Sequence, residues 1–218
     1  MGAKKQSNAG AVPGKTRETI LAAARRVFSV HPFHAASIRM VAAEGGFYHG
    51  LIRYHFPSKA DIFRAVVEDA CADLREKNAG WLGEIRGLGP AEGLGHFLER
   101  FMEYARRRPE VLGIIVQNLA QDDLEALPGH GFLTGFLADT RRDFEAVFAG
   151  LFLPGDTGRF LDSLNALILH YLGAGSLQAR LLGMDPGGPE YLAWVRETLI
   201  FVFQPALERM LVRGRSGA

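Results

Sequence analysis

At 218 residues, 48% of them apolar, the chain is long enough to bury a substantial core. No apolar run reaches membrane-spanning length and the N-terminus lacks the hydrophobic stretch of a secretory signal, so a cytoplasmic protein without a membrane partner is expected. A single cysteine, Cys71, excludes an intrachain disulfide, and a net charge of +1 does not by itself suggest a nucleic-acid partner.

Taken in chain order, residues 1–14 are small, polar and glycine-containing, and read as a flexible basic arm. A first helix follows. Thr16 can cap it, Glu18 suits its first turn, and Ile20, Ala23, Ala24, Val27 and Phe28 fall on one face at helical spacing. His31 and His34 flank a loop with no carboxylate or thiolate near in sequence, so no metal site is assigned.

The stretch from 37 to 62 is the most informative. Ser37 is a good N-cap, and Ile38, Val41 and Ala42 share an apolar face. Gly45 and Gly46 end that helix, since one of them can take the left-handed backbone of a tight turn. In the next short helix Ile52 and Phe56 point inward with Phe47. His49, Gly50, Arg53 and Tyr54 are left facing outward, a face of donors and aromatic rings suited to the DNA major groove. Pro57 breaks the run, and Ser58 with Asp61 forms a capping-box start for the following helix. Lys59 then stands at a helix N-terminus, where a DNA phosphate is the natural anion.

Counted by segment, the charge supports this reading. Up to Ile62 there are nine basic and three acidic side chains, a net +6, and the remainder carries −5. A basic head on an acidic body is the pattern of a chain that binds DNA by one end, and the basic arm would lie along that DNA.

In the order helix, Ser-Ile-Arg, Gly-Gly turn, Gly-Leu-Ile-x-Tyr-x-Phe, Pro-Ser-Lys, this segment resembles the N-terminal DNA-binding domain of the TetR/AcrR family of transcriptional regulators. The resemblance covers roughly the first third of the chain. It assigns DNA contact to Ser37 and Arg39 on the second helix, to Tyr48, His49, Gly50, Arg53, Tyr54 and His55 on the third, and to Lys59. Three positions depart from the family pattern. Ser or Thr usually stands where Tyr48 does, a small hydroxyl where Leu51 does, and often Tyr where Arg53 does. Losing the hydroxyl at 48 removes a side-chain cap. Arg53 suits either bidentate readout of a guanine or a phosphate contact.

Beyond Ile62 the rhythm stays helical, with helices expected over 60–85, 91–107, 109–121, 132–151, 157–182 and 189–211 and loops at 129–131, 153–155 and 186–189. Cys71 lies among Val66, Val67, Ala70 and Leu74 as a core residue. Arg106, Arg107 and Arg108 close a helix as a solvated cationic end. On the middle helices Phe97, Phe101 and Tyr104, then Gln117 and Asn118, then Phe136 form apolar walls with sparse polar groups, the usual lining of a small-molecule site. Asn165 and His170 interrupt the apolar stripe of the penultimate helix, as ligand contacts or as satisfied core residues. The 157–182 and 189–211 helices carry more apolar surface than a small domain needs, and Gly173, Ala174 and Gly175 would allow close helix approach.

The expected fold is all-α with about nine helices. Its parts are an arm (1–14), a three-helix bundle with the helix-turn-helix (15–62), a helical ligand-binding and dimerisation domain (63–212) and a tail (213–218). The resemblance implies a homodimer through the two C-terminal long helices, a small-molecule effector in the middle helices, and a repressor released from a palindromic double-stranded operator. The alternative is an architectural or activating DNA binder without a small-molecule switch. No cofactor is implied, and nothing in the chain has the spacing of a catalytic constellation.

Overall fold

The computed structural model describes residues 13–119, 123–149 and 152–216. Within them the chain is all-helical, with ten α-helices and one π-helical turn. The head consists of α1 (Pro13–Val30), α2 (Ile38–Gly45) and α3 (His49–His55). The body follows with α4 (Lys59–Glu84), α5 (Pro90–Arg107), α6 (Pro109–Leu119), α7 (His130–Val147), α8 (Pro154–Ile168), a π-helical turn (Leu169–Gly173), α9 (Ser176–Leu181) and α10 (Pro189–Ser216). No helix among the described residues is long and apolar enough to cross a membrane.

The head is held by the apolar stripe that periodicity identified. Ile20, Ala23, Ala24, Val27 and Phe28 of α1 are all buried, as are Val41, Ile52 and Phe56. The boundary expected at residue 62 falls inside α4, which starts in the head and runs unbroken into the body. Head and body share one continuous apolar core. Much of the contact between them is made by α1 against α6. There Gly113 lies so close to α1 that a Cβ on it would stand 2.7 Å from the Ser29 carbonyl oxygen.

Several boundaries differ from expectation. Helix α1 begins at Pro13, so Thr16 lies in its first turn and is not its cap; residues 1–12 of the expected arm lie outside the described residues. Gly129, with φ of 90°, is the N-cap of α7, so Gly131 is helical rather than in a loop. Helix α10 runs through most of the expected tail, to Ser216; residues 217–218 lie outside the described residues.

The largest correction concerns 157–182, which is not one helix. After α8 the backbone widens into the π turn, and α9 starts afresh at Ser176. The Tyr191 hydroxyl, from α10, donates to the Tyr171 carbonyl at 2.9 Å and lies 3.3 Å from the Gly175 carbonyl, which also accepts from the Ala179 amide, so α10 is tied to the break. A side chain at Gly175 would overlap both the Tyr171 carbonyl and that hydroxyl. Gly173 likewise has no room for a Cβ, because Val116 and the Leu112 carbonyl of α6 press against it. The close helix approach read into these glycines is therefore made within the chain, to α6 and α10.

Candidate nucleic-acid interface and effector cavity

Local chemistry builds the helix-turn-helix. The Ser37 hydroxyl accepts from the Met40 amide at 3.3 Å and starts α2. At its end Gly46 takes φ of 67°, and its N–H reaches the Ala42 and Ala43 carbonyls. The Phe47 ring folds back over Gly45, where a Cβ would overlap it. Gly46 is thus required by its backbone conformation, whereas a side chain at Gly45 would have to displace the Phe47 ring. Tyr48 holds the N-cap position of α3 without a side-chain cap, the consequence expected of losing a hydroxyl there.

Burial of Ile52 and Phe56 fixes which face of α3 is turned out. Tyr48 is 88% exposed and Tyr54 83%, and His49, Gly50 and Arg53 are exposed with them. His55 is half-buried with its ring against Tyr54, and Arg39 projects from α2. Ser37 is half-buried and occupied in capping. Sequence reasoning did not single out Arg17 of α1, whose guanidinium lies 5.0 Å from the Phe56 ring centre at the foot of α3. A contact between separate helices leaves no local signature.

Lys59 begins α4 as expected, but its side chain is engaged within the head. Its ammonium donates to the Phe33 carbonyl at 2.7 Å and the Ala36 carbonyl at 2.9 Å, and lies 4.3 Å from the Phe33 ring centre. Burial pushes it below the ordinary lysine range. The side chain therefore ties α4 to the loop between α1 and α2 instead of reaching outward. The capping box beside it is formed as expected, with the Ser58 hydroxyl accepting from the Asp61 amide and the Asp61 carboxylate accepting from the Ser58 amide. Lys59→Met, which keeps the stem and strands two carbonyls, is expected to cost about 1.5 kcal/mol in urea denaturation. No change would show the tie to be idle.

Farther along α4 lies a cavity. Leu74 and Asn78 of α4, Phe101 of α5, Leu112 and Ile115 of α6, Phe136, Leu137 and Thr140 of α7, and Asn165, Ile168 and Leu169 line it. It leaves about 30 Å³ open to the centre of a water-sized sphere, room for a water or two. Of the residues expected to line a pocket, Phe101, Phe136 and Asn165 do so.

The others do not line it. Phe97 and Tyr104 belong to an aromatic cluster around Trp81, with ring centres 5.9 and 5.7 Å from it. The Tyr104 hydroxyl donates to Asp73 at 2.8 Å, and burial followed by that bond pushes its phenol well above the ordinary range. Asn118 is fully buried and donates to the Ile114 carbonyl of its own helix at 2.6 Å. Gln117 is half-buried on α6, outside the cavity lining. His170 is exposed beside Tyr171, because the π turn swings it off the inward face.

Asn78 and Thr140 were missed, although a signal existed. Each interrupts an apolar row at helical spacing, Leu74-Asn78-Leu82 and Phe136-Thr140-Phe144. Cys71 is buried, and burial pushes its thiol up to about 12, so it packs as an apolar residue. Arg108 bridges Asp73 at 3.0 Å and Glu110 at 2.7 Å, and Arg107 pairs with Glu103, as a cationic helix end should.

Packing within the chain accounts for much of the C-terminal apolar surface. Phe160, Leu161, Leu164 and Ile168 of α8 are buried, as are Tyr191, Val195, Leu199, Phe203, Leu207 and Met210 of α10. Phe201, 81% exposed, Val202 of α10 and Leu177 and Leu181 of α9 remain outside.

Residues 20–66 match the family described as bacterial regulatory proteins, tetR family. The HTH-type transcriptional regulator UidR of Escherichia coli (strain K12) is 28% identical over 142 residues, 59% of this chain and 65% of UidR, so the match spans just under two thirds of that relative. The HTH-type transcriptional repressor AcnR of Corynebacterium glutamicum is 34% identical over 82 residues, 37% of this chain and 44% of AcnR. Among solved structures, the transcriptional regulator FadR of Bacillus subtilis in complex with stearoyl-CoA has a similar fold, with a TM-score of 0.59 at 16% identity, covering 84% of this chain and 97% of that one.

Proposed function

Because the chain carries the N-terminal domain of the tetR family of bacterial regulatory proteins, we propose that it is a dimeric transcriptional repressor. It holds a palindromic operator through α3 and releases it when a small, largely apolar effector occupies the cavity. The observation that carries this reading is one helix with two ends. Helix α4 is anchored in the head by Lys59 and Phe63 and lines the cavity with Leu74 and Asn78. From Lys59 to Asn78 runs roughly 28 Å of helix, at about 1.5 Å per residue.

The cavity holds only about 30 Å³, so an effector larger than a water or two is accommodated by parting the helices around it, α4 from α7 and α8. That displacement is carried along α4 to the head. The effector acts through its preference for the parted state, since equal affinity for both would shift nothing. A relative of similar fold, FadR of Bacillus subtilis, is solved with stearoyl-CoA bound, and AcnR is a repressor; both support the reading.

On the DNA side, Arg53, Tyr48 and Tyr54 form the reading surface, with Arg39 and Arg17 placed for phosphates. Lys59 supports that surface from behind. Selection of bound duplexes from a random pool should recover a palindrome whose half-sites match a two-fold dimer. Against that duplex Arg53→Ala is expected to weaken binding by about 1–3 kcal/mol, roughly five- to 150-fold, with relaxed preference at one base pair per half-site. Unchanged affinity in fluorescence anisotropy would remove Arg53 from the interface.

The dimer forms through α8 and α10, with Phe201 at its centre because it is the large aromatic side chain that the body leaves uncovered on α10. Phe201→Arg is expected to sediment as a monomer and to lose palindrome binding while keeping its helical signal. A Phe201→Arg protein that still sediments as a dimer would place the interface elsewhere.

A further inference from the structure

The cavity that α4 shares with α5 to α8 contains a polar feature that apolar packing does not explain. Asn78 is 7% exposed and Thr140 6%, and both line it. The Asn78 Oδ1 and the Thr140 Oγ1 are buried without a hydrogen-bond partner in the protein. Buried polar atoms in folded proteins nearly always have partners, so two facing one cavity mark a place where a partner arrives from outside. Asn165, half-buried on α8, adds a third polar group to the same lining.

The remainder of the lining sets the charge of that partner. The other residues, among them Leu74, Phe101, Ile115 and Phe136, are apolar, and no Asp, Glu, Lys, Arg or His is present in it. A carboxylate or ammonium there would be desolvated without a counter-ion, whereas a hydroxyl or carboxamide would be matched. An asparagine amide offers an acceptor and two donors, and a threonine hydroxyl does both, so together they can hold a group that both donates and accepts.

Resting on the reading of this cavity as the effector site, we propose that it selects an uncharged ligand, an alcohol, phenol or carboxamide on an apolar frame, whose polar group bonds Asn78 and Thr140 together. Acids and amines of the same shape are rejected.

The test uses the full chain and four probes of one shape: benzyl alcohol, benzamide, benzoate and benzylamine. Thermal shift and calorimetry are expected to show binding of the first two and at least tenfold weaker binding of the charged pair. Asn78→Leu and Thr140→Val should each weaken benzamide at least tenfold. Without ligand, both variants should melt at or above the parent temperature, because each replaces an unpartnered polar atom with an apolar isostere. A purely structural polar residue would instead lower the melting temperature when replaced.

The proposal is overturned if the charged probes bind as well as the neutral ones, or if none of the four binds. It also fails if either substitution leaves benzamide affinity within twofold, or if either lowers the melting temperature. Neutral probes that bind without releasing DNA would leave the ligand class standing and sink the switch. Failure to bind DNA at all would sink the regulator while the calorimetry still judged the cavity.

Discussion

Phe63→Ala is expected to cost about 3–5 kcal/mol of stability, a large part of what a domain of this size possesses. Phe63 sits in the first turns of α4, fully buried, with ring centres 4.9 Å from Phe28 of α1 and 4.8 Å from Phe33 of the following loop. The Lys59 ammonium covers the other side of that cluster through Phe33. The phenyl ring is thus the joint at which α4 meets the head. Deleting it leaves a cavity that rigid helices on three sides cannot fill. Urea denaturation followed by circular dichroism measures the loss. DNA affinity should fall with it even below the unfolding midpoint, because α3 is oriented through the same joint. A loss under 1 kcal/mol would mean that α4 is seated by other contacts.

Gly113→Ala is expected to destabilise by about 1–3 kcal/mol, against the intrinsic preference of a helix for alanine by roughly 0.5–1 kcal/mol. The new Cβ would stand 2.7 Å from the Ser29 carbonyl oxygen and 3.2 Å from the Ser29 Cβ. Backbone at that distance cannot rotate away as a side chain can. Helix α6 is also packed on an adjoining face, where Gly173 lies against Val116 and the Leu112 carbonyl. Gly135→Ala provides the control. A Cβ on Gly135, within α7, meets nothing within 4 Å, so that variant should gain about the helix-propensity increment. Opposite signs for the two glycines in parallel urea titrations would locate the strain at the seam between α1 and α6. Equal signs would show that the seam is slack. Because Leu112 and Ile115 of α6 also line the cavity, the same variant should change how far a ligand there alters DNA binding.

The head was legible because its signals are local. Ser37 capping α2, the left-handed Gly46, the Ser58–Asp61 box and the exposed face around Arg53 each depend on residues within one or two turns. Lys59 shows where local signals stop. At a helix N-terminus it looks outward, and only the arrival of Phe33 and Ala36 from more than twenty residues earlier turns it in. The cavity followed a similar course. Aromatic spacing led to Phe101 and Phe136, but Phe97 and Tyr104 pack against Trp81, which Phe101 also touches, without lining the cavity, and the π turn carried His170 to the surface.

The sequence by itself determined the helical class, the helix-turn-helix head and the polarity of a basic head on an acidic body. Periodicity, caps and turn glycines act through backbone preferences and near neighbours, and those are written in consecutive residues. Tertiary structure decided that head and body share one core through α4, which polar groups were left unpaired in the cavity, and how much apolar surface stayed outside. Each of these depends on what a distant helix covers. Asn78 and Thr140 acquired their meaning only when α4 and α7 closed around one space and left two polar atoms in it without partners.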